Sequence, residues 1–140
     1  MALSDEIDMR FEQALHDIES QVRSRLGAAP GALRNAATDV LTGERSGRYY
    51  ATAGGGYRAS APGEPPARRT GAYERSWNAQ PLGEQNLPDG VRFTIRLATS
   101  MPERARRLEY GSGGVAARPH VERIRSAGVA EVLRLLRGGD

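Results

Sequence analysis

The 140-residue sequence has neither cysteine nor lysine, and it has no long apolar run. Without cysteine, disulfide bonds and thiolate metal sites are excluded. Without lysine, a Walker-type phosphate loop is excluded, because that motif needs Gly-Lys-Ser/Thr. No apolar run approaches the roughly 18 residues of a membrane helix, and residues 1–6 are polar and acidic, unlike a signal peptide. These features predict a protein that is made in the cytoplasm and has no membrane partner.

Residues suited to catalysis are scarce. Of the two histidines, His16 lies off the apolar stripe of the first predicted helix. His120 and Glu122 are two residues apart, which puts them on different faces of a helix and makes no metal pair. Glu103 and Glu109 flank a run of arginines, which is typical of a salt-bridged surface rather than of an acid–base pair. We predict no enzyme, no catalytic residue, no cofactor and no metal site.

All 20 basic residues are arginine, and the net charge is +3. Arginine pairs with carboxylate and phosphate alike, and a charge of +3 is too small to demand a nucleic-acid partner. Two interpretations of the densest arginine region stay open: a solvated or intersubunit face, which we prefer, and the lining of a channel through which DNA passes. This region consists of Arg104, Arg106, Arg107, Arg118, Arg123 and Arg125.

Apolar periodicity predicts three helices. The first runs from a cap at Ser4 and carries a stripe at steps of three and four through Ile7, Phe11, Leu15, Ile18, Val22 and Leu26. The second spans Gly31 to Leu41, with Leu33, Ala36, Ala37, Val40 and Leu41 facing inward. The third begins at Pro119, has a weak point at Gly128, and directs inward Val121, Ile124, Val129, Val132, Leu133 and Leu136.

Residues 46–71 lack a core pattern. Two short arms flank the glycines at 54–56, and a proline-rich extended connection follows. Long segments of this kind in a compact domain are typically functional or disordered. We predict that residues 46–67 project from the core and contact a neighbouring subunit or layer. The predicted contact residues here are Tyr49, Tyr50, Tyr57, Arg58, Pro62, Glu64 and Pro65.

The remaining chain predicts a small sheet. Strict alternation predicts a strand whose buried face consists of Val91, Phe93, Ile95 and Leu97. Residues 73–80 are its predicted partner strand, and residues 87–90 are the turn between the two. Residues 102–110 fit a short helix that leads into a strand. We expect Phe93 and Ile95 to share a core with Phe11 and Leu15.

The fold class that follows is α+β, with a long N-terminal helix and a C-terminal helix packed on a small antiparallel sheet, beside a long projecting loop or hairpin. The chain is predicted to be one domain over residues 1–140. Its parts are a helical region (1–41), an extended loop or hairpin (46–71), and the sheet with the C-terminal helix (72–137).

Two pairs of strings, in this order, resemble the neck or tail-completion family of long-tailed bacteriophages. They are Ser60-Ala61-Pro62-Gly63-Glu64-Pro65-Pro66 with Thr70-Gly71-Ala72-Tyr73-Glu74-Arg75-Ser76, and Leu108-Glu109-Tyr110-Gly111 with Ala117-Arg118-Pro119-His120. The resemblance covers residues 46–137. The departures are Tyr73 where the family has Leu, Ser112 where it has Thr, and His120 where it has Phe. The last departure leaves open whether position 120 is buried.

The resemblance implies a structural virion protein at the head–tail interface, which is a neck, tail-completion or tail-terminator component. It implies a homo-oligomeric ring, expected to be six-fold, that is assembled in the host cytoplasm and lets genomic DNA pass. The expected partners of the ring are a head-closure or adaptor protein and the major tail tube protein. Head closure and a small arginine-rich nucleic-acid-binding module stay open as alternatives.

Two roles of the motif residues follow from their chemistry. An ion pair between Glu109 and an arginine, with Arg118 the candidate, would fasten a strand to the last helix. Tyr110 and Trp77 combine a large apolar area with a polar edge, which suits a subunit interface or a sheet face. Most of the arginines at 104, 106 and 107 are expected to face acidic residues of a neighbouring subunit, with at most one per subunit reaching the channel.

Overall fold

The computed structural model describes residues 17–138, and it has an α+β fold. Residues 17–26 form the described part of helix α1. The elements that follow are α2 (Ala29–Thr42), β1 (Tyr49–Thr52), β2 (Gly55–Arg58), α3 (Ala72–Arg75), β3 (Trp77–Leu87), β4 (Gly90–Thr99), α4 (Pro102–Tyr110) and α5 (Val121–Leu136). None of the helices within residues 17–138 is long and apolar enough to cross a membrane.

The strands form two separate antiparallel hairpins. In the first, β1 pairs with β2. In the second, β3 pairs with β4 from Trp77↔Thr99 to Leu87↔Gly90, with a register shift between Pro81 and Gly83. The turn predicted at residues 87–90 is therefore confirmed.

The alternation predicted for β4 is also confirmed. Val91, Phe93 and Ile95 are half-buried, while Arg92 and Arg96 are exposed. The inward face of β4 lies towards α1, because Val22 and Leu26 of α1 line the same open groove as Phe93 and Ile95 of β4.

Helices α2 and α5 pack against each other. On α2, Ala36, Ala37 and Leu41 are buried as the periodicity predicts. Gly128, predicted as a weak point of α5, is buried in this contact, and a Cβ there would lie 2.8 Å from Leu33 Cδ2. The close approach of the two helices therefore requires a residue without a Cβ atom at position 128.

The densest core lies at the opposite end of the molecule from the β3–β4 turn. It joins the end of α2 to α3, the start of β3, α4 and the start of α5 through Leu41, Tyr73, Trp77, Ala105 and Ile124. The shared core predicted from Phe93 and Ile95 differs from it, since both residues line an open groove. Its other predicted members, residues 11 and 15, lie outside the described residues.

Two predictions of local structure were wrong, and a third was right in part. Tyr73 lies in helix α3 and not in a strand, because Gly71 turns the chain at φ 82° and β3 begins only at Trp77. Residues 102–110 form the expected short helix, which ends at Gly111 with φ 80°, but the next element is helix α5 and not a strand. On α5 the expected inward residues Val121, Val129 and Leu133 are 36%, 52% and 43% exposed, because α5 buries mainly the face that carries Ile124 and Gly128.

Ile124 tests the position of the core, because its side chain is only 1% exposed. We expect Ile124→Ala to lower the free energy of unfolding by about 2–5 kcal/mol, from lost burial and the cavity left behind. Urea titration followed by circular dichroism measures it. Val121→Ala, one turn earlier and 36% exposed, is the control, with an expected loss of about 1 kcal/mol or less. A loss at Ile124 no larger than at Val121 would contradict this core.

Candidate functional site

The hairpin β1–β2 exposes a surface rich in tyrosine. Tyr49 and Tyr50 are 55% and 41% exposed. Tyr50 stacks on its cross-strand partner Tyr57, with ring centroids 5.5 Å apart and planes 20° apart. A Cβ at Gly56 would collide with the ring of Tyr49, so the glycine lets that ring lie across the strand. Stacked cross-strand pairs hold aromatic side chains in one geometry, which lowers the entropy lost when a partner binds them.

An arginine covers each of these rings. Arg48 lies 5.2 Å from the centroid of Tyr50, and Arg58 lies 5.6 Å from that of Tyr49. Adjacent residues of a strand point to opposite faces, so each face of the hairpin presents a tyrosine with an arginine. Residues 47–58 contain no carboxylate. We call Arg48, Tyr49, Tyr50, Tyr57 and Arg58 the hairpin surface; it is aromatic and positively charged and suits an acidic partner.

Glu64 joins the chain before the hairpin to the chain after it. Its carboxylate accepts hydrogen bonds from Ser46 N at 3.0 Å, from Ser46 Oγ at 3.0 Å and from Ala61 N at 2.6 Å. The bond from Ala61 N is the main cause that lowers the pKa of Glu64. The loop that carries the hairpin is therefore closed at its base by one carboxylate.

Three arginines bind the proline-rich segment to the helices, and one of them is Arg45. Its guanidinium donates to Pro66 O at 3.1 and 3.2 Å and to Val40 O of α2 at 2.7 Å. Pro65 and Pro66 are buried. The prediction that all of residues 46–67 project was therefore wrong for the proline-rich part, because its carbonyls and rings pack on the body.

The other two arginines reach the segment from the region before α5 and from α5 itself. Arg118 Nε donates to Ser60 Oγ at 2.8 Å, and Arg123 donates to Gly63 O at 2.8 Å. The backbone adds a hydrogen bond from Gly63 N to Ala117 O at 3.2 Å. The two stretches that carry the family resemblance thus contact each other directly, and together they form a base under the hairpin.

His120 is the most buried polar side chain of the described residues, with 0% exposure. Its Nδ1 lies 2.8 Å from Arg118 O, which only accepts, so Nδ1 carries the proton. Nε2 then accepts from the Tyr73 hydroxyl at 2.6 Å. The Trp77 ring packs edge-on against both. Position 120 is therefore buried, which answers the question that the sequence left open, and Trp77 belongs to the core.

Burial sets the protonation of this pair. It lowers the pKa of His120 and raises the pKa of Tyr73 to about 12. Both groups are consequently neutral around pH 7, which is the state that the hydrogen bond from Tyr73 to His120 requires.

Glu109 caps helix α5. Its Oε2 accepts from His120 N at 2.7 Å and from Val121 N at 2.8 Å. A carboxylate at a helix N-terminus satisfies unpaired backbone N–H groups and interacts favourably with the helix dipole. The predicted ion pair with Arg118 was wrong: Arg118 bonds Ser60 and nearby carbonyls instead. The residue does fasten two elements together, α4 and α5.

The arginines of α4 differ from one another. Arg104 lies 5.3 Å from the centroid of Tyr73 and so takes part in the packing around the core. Arg106 and Arg107 are exposed, and neither forms an ion pair with another residue of the described range 17–138. Tyr110, at the end of α4, is 80% exposed. Arg106, Arg107 and Tyr110 are accessible to a partner, whereas Arg104 is partly engaged.

The sequence did not predict the roles that several residues have in this site, including Arg123, which it placed only in the arginine-rich region. Arg45, Ser46 and Arg123 hold the base of the hairpin, and Arg48 and Arg69 complete the arginine contacts with tyrosine. The only sequence signal for Arg48 is its place two residues before Tyr50, on the same face of a strand. Within residues 17–138 no group of three or more His, Asp or Glu side chains is placed to hold a metal ion.

Removing the cap of α5 tests the role of Glu109. We expect Glu109→Ala to lower the free energy of unfolding by about 0.5–2 kcal/mol, because two N–H groups lose their acceptor. Glu109→Gln keeps an acceptor oxygen without the charge, and its loss is expected to be smaller. Urea denaturation of the three proteins gives the order. Equal stability of Glu109→Ala and the parent would contradict the capping role.

The buried imidazole makes stability depend on pH. Burial lowers the pKa of His120 below its ordinary 6.5, so below that pH the unfolded chain takes up a proton that the folded chain does not. Stability then falls as the pH decreases below about 6.5. His120→Phe removes this dependence. The difference in unfolding free energy between parent and variant, measured at about pH 7.5 and about pH 5.5, is expected to shift in the variant's favour at the lower pH. A constant difference would contradict it. His16 is common to both proteins and cancels.

Comparison with known proteins does not assign this chain to a family. No protein-family model matches this chain, and no curated protein or solved structure matches it either.

Proposed function

We propose that this chain is a structural virion protein of the head–tail interface of a long-tailed bacteriophage, a neck or tail-completion component that forms a ring. The ring joins the tail tube to the head and lets DNA pass, without catalysis. Its partners are other copies of the chain, a head-closure or adaptor protein and the major tail tube protein. It is assembled in the host cytoplasm and resides in the virion.

One observation carries the proposal. The strings around Glu64 and around Glu109, which resemble the phage family, lie about 45 residues apart in sequence and contact each other through Arg118, Arg123 and Gly63. Within these strings, Glu64 and Arg118 build the base under the hairpin, and Glu109 caps α5. A protein whose characteristic residues build a platform for an exposed hairpin fits a role in assembly.

The exposed surfaces supply the second support. The hairpin surface lacks carboxylates and stands away from the helices, since β1 and β2 pack mainly on each other. Arg106, Arg107 and Tyr110 are exposed on α4. Interfaces between proteins are enriched in tyrosine and arginine. Two such surfaces suit a protein that contacts a different neighbour on each side.

The direct test is a null allele in the phage that encodes the chain. We expect the lysate to contain DNA-filled heads and separate tails in electron micrographs, and purified protein to restore joining. Joined particles in the absence of the protein would rule out the joining role. A null lysate that lacks filled heads would favour head closure over tail completion.

The hairpin surface is tested by Tyr50→Ser combined with Tyr57→Ser. The double variant loses the stacked pair, worth about 0.5–1.5 kcal/mol, so we expect helix content to be retained and joining activity to be lost. Leu82→Ser, at a side chain of β3 that is 54% exposed, is the matched control and retains joining. Full activity of the double variant would show that the hairpin does not bind the partner.

A nucleic-acid-binding module is the second candidate, and the arginine–tyrosine pairs of the hairpin favour it. Aromatic rings with arginines form stacking platforms for single strands. Such a module binds short DNA with an affinity that decreases steeply with salt, whereas the ring component self-associates and binds DNA weakly. Fluorescence anisotropy across a salt series, with light scattering on the same samples, separates the two.

A further inference from the structure

An open apolar groove runs between α1, β4 and α5. It has a volume of about 480 Å³, and its walls include Val22, Leu26, Phe93, Ile95, Val129 and Leu133. On α5, Val129 is 52% exposed and Leu133 is 43% exposed. These side chains lie on the face of α5 that the periodicity assigns to a core. A contiguous apolar surface of this kind on a small protein marks a contact with another segment.

The described part of α1 runs along β4 in one direction. Leu26 lies beside Ile95, in the middle of β4. One and two turns earlier in the chain, Val22 and Ile18 lie beside Val91 and Gly90, at the β3–β4 turn. The described part of α1 therefore begins at the tip of the β3–β4 hairpin and runs inward from it.

The sequence of residues 1–16 matches the groove in apolarity. The period that brings Val22 and Leu26 to the groove continues upstream through Ile7, Phe11 and Leu15. Within one copy the later part of this stripe, Val22 and Leu26, already lines the groove beside Val129 and Leu133. The apolar residues at 7, 11 and 15 are further members of the stripe.

The charges of residues 1–16 and of the rest of the chain are complementary. Residues 1–16 hold four of the 17 acidic residues and one arginine, which leaves 13 acidic residues and 19 arginines in the rest of the chain. Arg25, which donates to Leu136 O, lies at the end of the groove. The exposed Arg137 directly follows α5. An acidic segment with an apolar stripe complements an apolar groove on a basic body.

We propose that the groove receives the stripe Ile7–Phe11–Leu15 of a second copy of this chain, so that copies join head to tail. The segment and the groove are different surfaces, so each copy gives one contact and accepts another. Contacts of that type generate a closed ring when the rotation between copies closes. The inference rests on the proposed function for the ring, and it assigns the contact between neighbouring subunits.

Two single variants of the full chain test it by size-exclusion chromatography with light scattering. Leu15→Asp damages the segment and leaves the groove, whereas Leu133→Asp damages the groove and leaves the segment. The parent is expected to self-associate and each variant to be monomeric. Mixing the two variants is expected to give a one-to-one dimer and nothing larger, because only one intact segment and one intact groove meet.

Controls address folding and specificity. Circular dichroism establishes that each variant is folded, and Val129→Asp replaces Leu133→Asp if the latter is not. Leu82→Asp carries the same change at another exposed apolar side chain, on β3, and is expected to associate as the parent does.

The outcomes separate this inference from the proposed function. If both variants self-associate like the parent, or if the mixture stays monomeric, the head-to-tail contact is overturned while the joining role still stands on the null-allele test. If the parent is monomeric and Leu15→Asp only lowers its stability, the segment binds its own groove and the inference is equally overturned. A joining defect in both variants together with the one-to-one dimer supports both proposals.

Discussion

The arrangement of the site depends on the carboxylate of Glu109 at the start of α5. It fixes where the helix begins, and so it places His120 at the junction of α3, α4 and α5. With its proton on Nδ1, the imidazole spans from the Arg118 carbonyl to the Tyr73 hydroxyl. Arg118 then lies where its guanidinium reaches Ser60 under the hairpin. A single cap therefore connects the packing of the helices to the position of the exposed loop.

The base under the hairpin gives order to a segment that has little apolar surface of its own. Prolines limit the conformations of the free chain, and Glu64 satisfies the N–H groups of Ser46 and Ala61 where no strand or helix does so. Arg45 does the same for the carbonyl of Pro66. Because folding already holds the loop in place, the loop loses little further conformational entropy when a partner binds.

Sequence periodicity predicted α2 and β4 because each of them buries or half-buries one face along its length. It also predicted the helix α5, although much of the apolar stripe of α5 lines an open groove. It failed at Tyr73, since a four-residue helix after Gly71 is stabilised by tertiary packing rather than by propensity. It also missed the true partners of Glu109. Those partners are backbone N–H groups, which every residue except proline supplies and which leave no mark in residue spacing.

The anchoring of the hairpin has a mechanical consequence. A force that pulls on Tyr49 or Tyr57 passes to the base at Ser46 and Ala61, and from there into two helices: through Arg45 into α2, and through Arg123 into α5. The β3–β4 hairpin lies outside this route. Tension at the exposed loop is therefore divided between two helices that pack on each other, instead of falling on a single element.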